Sequence, residues 1–493
     1  MRAPALSLLA LLALNGCLLG PNYERPALDI PSTFRFADPE AKEIVDTIWW
    51  QQFQDPALND LIGIALAENK DVKIAAARVE QFLGQFQSTR SQLFPQVGAG
   101  FDAERQRLPI GTTALPPNVG PVFNQFSATL SASWEIDVFG KLRRQTEAAR
   151  ANLLASEEGR RATILALVAS VATTYINLVS LDRQLDIAKA TTSSRSESVT
   201  VFTLRFRYGE TSQMELAQSQ SEYEASLATI PQLEQQIAQQ EDALSVLLGR
   251  NPEPVPRDRE LDDLVLPQVP AGLPSELLTR RPDLRQAEQD MIAANALIGA
   301  ARALYFPSIS LTGLFGTAST QFSNLFTGPA RVWSYAGAVT MPIFTAGNIS
   351  GQVKQAEAQQ QQALYSYQKA IQVAFQEVAD SLITLQKSRE ALIVQGRQVD
   401  ALRTYSRLAR LRYEGGYTSY IEVLDAERSL FNAQLSYTQT QGAVFTSMVS
   451  LYKAMGGGWV TDAERMTSTA YGANGGPLPP DAAPPAGAKG PAP

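Results

Sequence analysis

The amino-acid sequence is an internal duplication, and this repeat limits what the chain can fold into more than any other feature. Phe94 and Pro95 recur as Phe306 and Pro307, at a spacing of 212 residues. Further along, the segment LRFRYGETSQMEL from Leu204 recurs as LRYEGGYTSYIEV from Leu411, at a spacing of 207 residues. The first copy therefore carries five extra residues between these landmarks, as expected for a longer loop. We expect both copies to contain the same elements in the same order.

Each copy contains a helical hairpin of unusual length. Proline is absent and glycine is rare in residues 141–207 and 348–412. At 1.5 Å per residue, each of these segments spans about 95–100 Å as a helix. Tight turns follow at Gly209 and Gly416, which predict the tips of the two hairpins.

A second helix returns from each of these turns. Ser212 and Ser419 are predicted N-caps of the returning helices. Glu215 and Glu422 stand three residues later, which is the spacing of a capping box. We therefore expect each serine to be bonded to its glutamate.

Alternation with a period of two predicts two strand hairpins. In the first copy, every second residue of 126–138 is apolar, and the partner strand starts at Val97. In the second copy, a strand that starts at Ile309 pairs with one that carries Trp333 and ends near Met341. This pattern is typical of a membrane barrel, with lipid on one face and water on the other. A soluble antiparallel sheet gives the same alternation, so the strands alone favour neither.

The N-terminus predicts a lipoprotein signal, which favours the membrane interpretation. Arg2 precedes an apolar stretch at residues 5–14 that is too short to cross a bilayer. The only cysteine of the chain, Cys17, follows in the sequence LNGC, which resembles a bacterial lipobox. An ordinary signal peptide with an incidental cysteine is the alternative. Leu18 follows the cysteine where inner-membrane retention would require aspartate, so we expect export to the outer membrane. No later run of 18 apolar residues predicts a transmembrane helix.

Composition excludes several classes of function. The net charge of −7 disfavours nucleic acid as a partner, because phosphate binding needs a basic surface. The chain has no histidine, which removes the commonest general base and the commonest metal ligand. We expect no catalytic residue, no metal site and no cofactor other than lipid on Cys17. An enzyme would need a carboxylate pair or a Ser/Lys arrangement, and no such motif is found.

Several motifs, taken in order, resemble those of one known family. Besides the paired Phe-Pro segments, they are RRPDLRQAEQ from Arg280, WEIDVFGKLRR from Trp134, YEGGYTSYIEVLDAERSLFNAQ from Tyr413, CLLGPNYERP from Cys17 and WWQQFQDPALNDLI from Trp49. Each motif is unspecific alone, but their joint order over about residues 17–458 is specific. The chain is similar to the TolC family of outer-membrane factors, and most similar to its OprM-like lipoprotein branch.

The resemblance implies an α+β membrane channel in which each chain is an internal duplication. A trimeric 12-stranded transmembrane β-barrel would be continued by a 12-helix periplasmic α-barrel. The number of strands agrees with this, because the four strands of one chain cannot close and the smallest membrane barrels have about eight. The predicted chain begins with a signal peptide (1–16) and ends with a C-terminal equatorial segment and a disordered Gly/Pro/Ala tail (459–493). The first repeat (17–270) contains an N-terminal equatorial segment, a β-hairpin (about 93–138), a helical hairpin (about 141–249) and a Pro-rich connector. The second repeat (271–458) contains a β-hairpin (about 305–343) and a helical hairpin (about 348–455).

The implied function is that of the outer-membrane channel of a tripartite efflux pump, a passive exit duct for drugs or other small molecules. The implied partners are two further chains of a homotrimer, a periplasmic adaptor (membrane fusion) protein, an inner-membrane transporter of the resistance-nodulation-division class, and outer-membrane lipid. The protein would be anchored by lipid in the cell outer membrane and extend into the periplasm. Type I protein secretion and metal-ion efflux are alternatives within the family. A coiled-coil surface protein would instead show uninterrupted heptads without a strand hairpin.

The family has its gate at the periplasmic tip of the second hairpin. The matching residues are Ile421, as an apolar collar, with Glu422 and Asp425 as an acidic constriction. These acids stand three residues apart and share one helix face. The first copy keeps an acid at Glu215 but has the neutral Gln218. The alternative is that both acids only stabilise the positive end of the helix dipole.

Three further residues are predicted at the hairpin tips. Gly209 and Gly416 form the turns, and Tyr413 matches a tip tyrosine of the family. Thr418 occupies a position where some members carry an arginine that links helices, so we do not expect that link here.

Overall fold

The computed structural model describes residues 18–28, 30–36, 48–107, 109, 121–269 and 274–467. The predicted signal peptide, the predicted lipidation site at Cys17 and the predicted disordered tail from residue 472 lie outside these residues.

Helices account for most of the described chain, and the two longest have 67 residues each. The helices are α1 (Pro56–Glu68), α2 (Lys70–Ser91), α3 (Lys141–Arg207), α4 (Gln213–Leu247), α5 (Leu277–Arg280), α6 (Pro282–Ala303), α7 (Asn348–Glu414), α8 (Tyr420–Met455) and α9 (Trp459–Arg465). Short 3₁₀ helices lie at Trp49–Phe53, Leu261–Asp263, Pro274–Glu276, Phe322–Asn324 and Gly328–Ala330.

The first copy begins with two helices, α1 and α2. The side chain of Asp55 caps α1 by accepting a hydrogen bond from the Leu58 amide at 3.2 Å, and Pro56 occupies the first turn. Asn69 then interrupts the helix, and its Oδ1 accepts hydrogen bonds from the amides of Asp71 and Val72 at 2.8 and 3.1 Å. Asparagine competes in this way with the helical hydrogen bonds, so a new helix starts after it.

The four strands form one antiparallel sheet in the order β1-β2-β3-β4. The strands are β1 (Gln96–Arg107), β2 (Val122–Ile136), β3 (Ser308–Ser319) and β4 (Arg331–Thr340). The central pair joins the two copies of the repeat, because β2 of the first copy pairs with β3 of the second.

The register of the sheet places the alternating apolar residues on one face, as predicted. Phe101 lies opposite Ala128, Leu130 lies opposite Phe315, and Phe315 lies opposite Trp333. Large side chains on this face are exposed in the single chain, among them Trp333 at 68%. The other face carries mostly serine, threonine, glycine, alanine and acidic residues.

The strands end earlier than the alternation suggests. β2 ends at Ile136 rather than Val138, because the Asp137 carboxylate accepts a hydrogen bond from the Arg143 amide at 2.8 Å in the first turn of α3. Met341 likewise lies beyond the end of β4. Residues that the alternation assigned to a strand therefore lie in the loops that precede α3 and α7.

Contacts divide the described chain into two compact units. The first comprises the described residues of Met1–Leu28, Arg78–Glu157 and Gln286–Lys369 and contains the sheet. The second comprises those of Asp29–Ala77, Glu158–Arg285 and Ala370–Pro493 and contains both hairpin turns. Each unit draws on both copies, so the repeat is a division of the sequence and not of the compact units.

Aromatic side chains form part of the core of the second unit. Trp49 is fully buried and stacks on Tyr452, with ring centroids 5.3 Å apart. Trp459 of α9 meets the rings of Trp49 and Trp50 edge to face, at 6.0 and 5.6 Å. The segment that follows the second repeat is therefore fixed to the segment that precedes α1.

One described helix, α3, is long and apolar enough in part to cross a membrane, contrary to our expectation. Of its most apolar 18-residue window, 61% is buried within the structure. Ile164, Val171 and Ile176 are fully buried there, as in a core helix. Length and composition alone do not distinguish the two kinds of helix.

Candidate functional site

The two hairpin tips have the same backbone geometry. Gly209 and Gly416 take φ angles of +75° and +74°, a region that favours glycine. The Glu210 amide donates to the Arg205 carbonyl at 2.8 Å, and the Tyr417 amide donates to the Arg412 carbonyl at 2.9 Å. These bonds close the ends of α3 and α7 as Schellman motifs. The structure thus places both predicted glycines at the turns, at equivalent positions of the repeat.

The returning helices begin differently at the two tips. At the first tip, the Glu215 amide donates to Ser212 Oγ at 3.2 Å and the Ser212 amide donates to Glu215 Oε2 at 3.1 Å. The predicted capping box is therefore present. At the second tip, Ser419 makes no side-chain capping bond, so the corresponding prediction is wrong. Glu422 accepts a hydrogen bond from the Thr418 hydroxyl, as Glu215 does from the Thr211 hydroxyl.

The local bonds of Glu215 also affect its ionisation. Hydrogen bonds from the Thr211 hydroxyl, then from Ser212, lower the pKa of the Glu215 carboxyl below its usual value. The carboxylate is thus engaged within its own helix end.

The acids predicted for the gate each lie beside an arginine. Arg428 Nη2 donates to Asp425 Oδ1 at 2.7 Å, one turn further along α8. Arg412 Nη1 lies 3.9 Å from the Glu422 carboxylate. All four side chains are more than one third exposed. The predicted acidic constriction is therefore accompanied by basic groups that the sequence prediction did not include.

Apolar side chains are exposed at both tips. Ile421, the predicted collar, is 59% exposed, and Met214 at the equivalent position of the first copy is 66% exposed. Tyr208 and Tyr417 are exposed beside them. Exposed apolar groups that cluster in this way are typical of surfaces that meet another protein chain.

Tyr413 joins the two hairpins next to the turns. Its ring contacts Phe202 of α3 and Tyr420 of α8, with centroids 6.1 and 5.2 Å apart. Arg205 Nη1 donates to the Tyr413 hydroxyl at 3.3 Å. Burial raises the pKa of both Tyr413 and Tyr420. The tyrosine therefore links a helix of the first copy to helices of the second.

Sequence reasoning missed Arg428 and Phe202, and it assigned Arg412 to the end of its own helix rather than to Glu422. The spacing of three residues between Asp425 and Arg428 is a readable signal for an ion pair on one helix face. Phe202 gave no such signal, because its partners are distant in the sequence. In the part of the chain that the structure describes, no group of three or more His, Cys, Asp or Glu side chains could hold a metal ion.

Comparison with known proteins places this architecture in a family. A model of the family described as Outer membrane efflux protein matches residues 61–250 and 273–457. The chain is 37% identical over 454 residues to the toluene efflux pump outer membrane protein TtgC of Pseudomonas putida, a match that covers 90% of this chain and 93% of that protein. It is 36% identical over 456 residues to the cation efflux system protein CusC of Escherichia coli, a match that covers 91% of this chain and 97% of that protein.

A solved structure shows the same fold. The open state of the Neisseria gonorrhoeae MtrE outer membrane channel is 33% identical and has a TM-score of 0.80, in a match that covers 90% of this chain and 99% of that chain.

The fold and the tips therefore define an outer-membrane channel of the mixed β-barrel and α-barrel class, and the chain belongs to the outer membrane efflux protein family. Its fold class is the predicted one, an α+β membrane channel that combines antiparallel strands with long helices and in which each chain is an internal duplication. The protein lies in the outer membrane, extends into the periplasm and is the outer-membrane component of an efflux pump. The predicted family, fold class, location and general function are confirmed.

Proposed function

We propose that three copies of this chain form a passive exit duct that docks with a periplasmic adaptor protein and an inner-membrane transporter of the resistance-nodulation-division class. The duct would carry drugs or other small amphiphilic molecules and would catalyse no reaction. The observation that carries this proposal is the pair of equivalent hairpin tips, which present exposed apolar side chains at matching positions. Two docking elements per chain would give a trimer six similar sites for adaptor molecules.

The four-stranded sheet supports the homotrimer. The sheet has β1 and β4 at its two edges, and unpaired backbone groups at such an edge cost several kcal/mol each in lipid. Pairing of β4 in one chain with β1 of the next would remove every edge when the ring closes. Native mass spectrometry of the detergent-extracted protein should give a trimer, and a stable dimer or monomer with full conductance would contradict the proposal.

We further propose that Ile421, Glu422 and Asp425 form the periplasmic gate. The difference between the two copies supports this. Glu215 is bonded to the backbone and side chain of its own N-cap, whereas Glu422 makes no capping bond to Ser419. Dipole stabilisation alone gives no reason for a second acid in one copy only. The carboxylates of Glu422 and Asp425, each beside an exposed arginine, would face the same groups of the other two chains.

We propose a lipid anchor on Cys17, on the basis of the LNGC motif. Acyl chains would add to the membrane affinity of a barrel that already spans the bilayer, so they should aid targeting more than permeation. Labelling with a fatty acid analogue should mark the parent protein and should be lost in Cys17→Ser. An unlipidated mature chain by intact mass would contradict this part of the proposal.

The cargo is inferred from the relatives and not from contacts within this chain. The relative TtgC is named for toluene efflux, which supports hydrophobic organic molecules as cargo. The relative CusC is named for cation efflux, and its similar identity makes metal ions the second candidate.

The test of cargo uses a strain that lacks its own efflux channels and expresses this chain with its adaptor and transporter. We expect tolerance of hydrophobic dyes and solvents to rise and tolerance of silver and copper ions to stay unchanged. The strain with adaptor and transporter but without the channel is the control. A rise in metal tolerance alone would favour cation efflux.

A further inference from the structure

The first described residues of the chain form an extended segment that we call the N-terminal strap, residues 18–25. It has no regular secondary structure, yet it is bound along its length by side chains of the first compact unit. Its binding groups come from α3 and α6, which belong to different copies of the repeat. A segment next to the terminus is usually poorly ordered unless it is specifically tied down.

Arg144 of α3 binds the first half of the strap. Its Nε donates to the Leu19 carbonyl at 3.0 Å, and its Nη2 donates to the Gly20 carbonyl at 3.3 Å and to Asn22 Oδ1 at 2.9 Å. Its Nη1 donates to Glu147 at 2.8 Å. Arg144 is only 1% exposed, so its guanidinium group is bonded to the strap and not to solvent. Buried charge-assisted bonds of this kind are strong and specific in geometry.

Glycines let the strap approach its neighbours closely. A Cβ atom at Gly299 of α6 would lie 2.5 Å from the Leu19 carbonyl oxygen, and one at Gly20 would lie 2.4 Å from Gly299 Cα. A Cβ atom at Gly140 would lie 2.7 Å from Leu18 Cδ1. No other residue type fits these contacts without displacing the strap. The Leu19 amide also donates to the Phe139 carbonyl, at 3.4 Å.

The second half of the strap is bound by α6. Glu288 accepts hydrogen bonds from the Tyr23 hydroxyl at 2.9 Å and from Arg25 Nε at 2.7 Å, and Arg25 Nη2 bonds its other oxygen. Asn295 Nδ2 donates to the Pro21 carbonyl at 3.1 Å. The strap is thus held at both ends and in the middle.

These contacts fix Leu18 against Gly140, four residues beyond the end of β2 at Ile136. A free tether of eight residues would let its end wander by about 15 Å, or half the thickness of the hydrocarbon core. The bound strap removes this freedom. Whatever is attached to the residue before Leu18 is therefore held next to the point where the sheet ends.

We infer that the strap is a positioning device for the N-terminal lipid, and that Arg144, Gly299 and Glu288 are its positioning residues. The inference rests on the proposed lipidation of Cys17. With Leu18 held beside Gly140, acyl chains on the preceding residue would enter the same leaflet together with the barrel strands. The lipid then acts at high effective concentration on the same membrane patch as the strands.

A double-mutant cycle tests this inference. The strap is displaced by Gly299→Ala, and the lipid is removed by Cys17→Ser in a chain exported behind a signal peptide that is cleaved before position 17. The amount of trimer in the outer membrane is measured for the parent, both single variants and the double variant. Gly351→Ala is the matched control, because Gly351 also lies in a helix of the first unit and nothing lies within 4 Å of its added Cβ.

With the strap bound, we expect loss of the lipid to lower the trimer yield about tenfold. With Gly299→Ala, loss of the lipid should change the yield of trimer less than about twofold, because the lipid is then attached to a displaced strap that is free to move. Gly351→Ala should keep the parental ratio. A strap that only clamps helices would give the same lipid ratio in all backgrounds, and that result would overturn the inference.

Two measurements keep the outcomes distinct. Hydrogen exchange of the N-terminal peptide reports whether the strap has lost its contacts with α3 and α6. Fatty acid labelling reports whether Cys17 carries lipid. Absence of label in the parent would refute the proposed lipidation, whereas label with an unchanged cycle would refute the positioning role alone. If Gly299→Ala gives too little trimer, Arg144→Lys, which keeps one donor, should show a partial loss of the lipid effect.

Discussion

Neutralising the two acids of the second hairpin tip would show whether they control ion passage. Glu422→Gln with Asp425→Asn removes two carboxylates from each chain, and six from the trimer. Because Arg428 lies 2.7 Å from Asp425 and Arg412 lies 3.9 Å from Glu422, both guanidinium groups remain without their acidic neighbours. The net charge of these four residues changes from zero to +2 per chain. We therefore expect the selectivity of the channel to shift from cations towards anions.

The size of this shift follows from the charges removed. At about 10 Å from the pore axis in water, six unit charges act on a permeant ion with about 2.5 kcal/mol before screening. Screening at 0.1 M salt leaves about 1 kcal/mol for each ion, with opposite sign for potassium and chloride. Each permeability then changes roughly fivefold, and the permeability ratio of potassium to chloride changes roughly 25-fold. At 1 M salt the Debye length falls to about 3 Å, and the change should nearly disappear.

The assay is the reversal potential of single channels in planar bilayers under a KCl gradient, at low and at high salt. Arg428→Gln should shift the selectivity in the opposite direction, because it exposes the Asp425 charge. Glu215→Gln is the control at the first tip and should change it less, since that carboxylate is bonded within its own helix end. Single-channel conductance should also rise in the double variant, because Thr418 and Arg428 then bond neutral acceptors more weakly than the carboxylates.

A permeability ratio that stays within about twofold of the parent in 0.1 M salt, in both the double variant and Arg428→Gln, would refute the gate. The acids would then serve only the end of their helix.

Three further predictions concern stability. Ser212→Ala should lower the free energy of unfolding by about 0.5–2 kcal/mol through loss of the capping box, whereas Ser419→Ala should cost little, as thermal unfolding would show. Trp459→Ala should cost about 3–5 kcal/mol, because the ring is fully buried among other aromatic rings, and a variant as stable as the parent would contradict the packing. Burial raises the pKa of the Glu158 carboxyl against the opposing effect of two arginines, so its contribution to stability is complete at acid pH and is lost as the pH rises through the raised pKa. Glu158→Gln should remove this part of the pH dependence of the melting temperature.

The sequence by itself determined the features that depend on nearby residues. The spacing of 207 residues identified Gly209 and Gly416 as equivalent turns, and the structure gives them the same φ angle within one degree. The alternation of apolar residues likewise determined which side chains share a face of the sheet. Turn geometry and strand faces follow from local sterics, so a short stretch of sequence is enough to predict them.

Local patterns failed where two local solutions compete. Ser419 and Glu422 have the same spacing as Ser212 and Glu215, yet the capping box forms only at the first tip, although a threonine bonds the glutamate at both tips. Asn69 ends α1 and starts α2, because its side chain bonds the following amides. The energies of such alternatives differ by about 1 kcal/mol, which is too little for a pattern to resolve.

Only the tertiary structure decided which distant segments meet. The pairing of β2 with β3 joins the two copies, and nothing in either strand specifies that partner over another. The strap of residues 18–25 is held by Glu288, 263 residues beyond Arg25, and by Arg144. Contacts of this kind depend on the whole chain having folded, because the cost of closing so long a loop is met by many groups acting together. The sequence carries the necessary side chains, but their partners exist only in the folded protein.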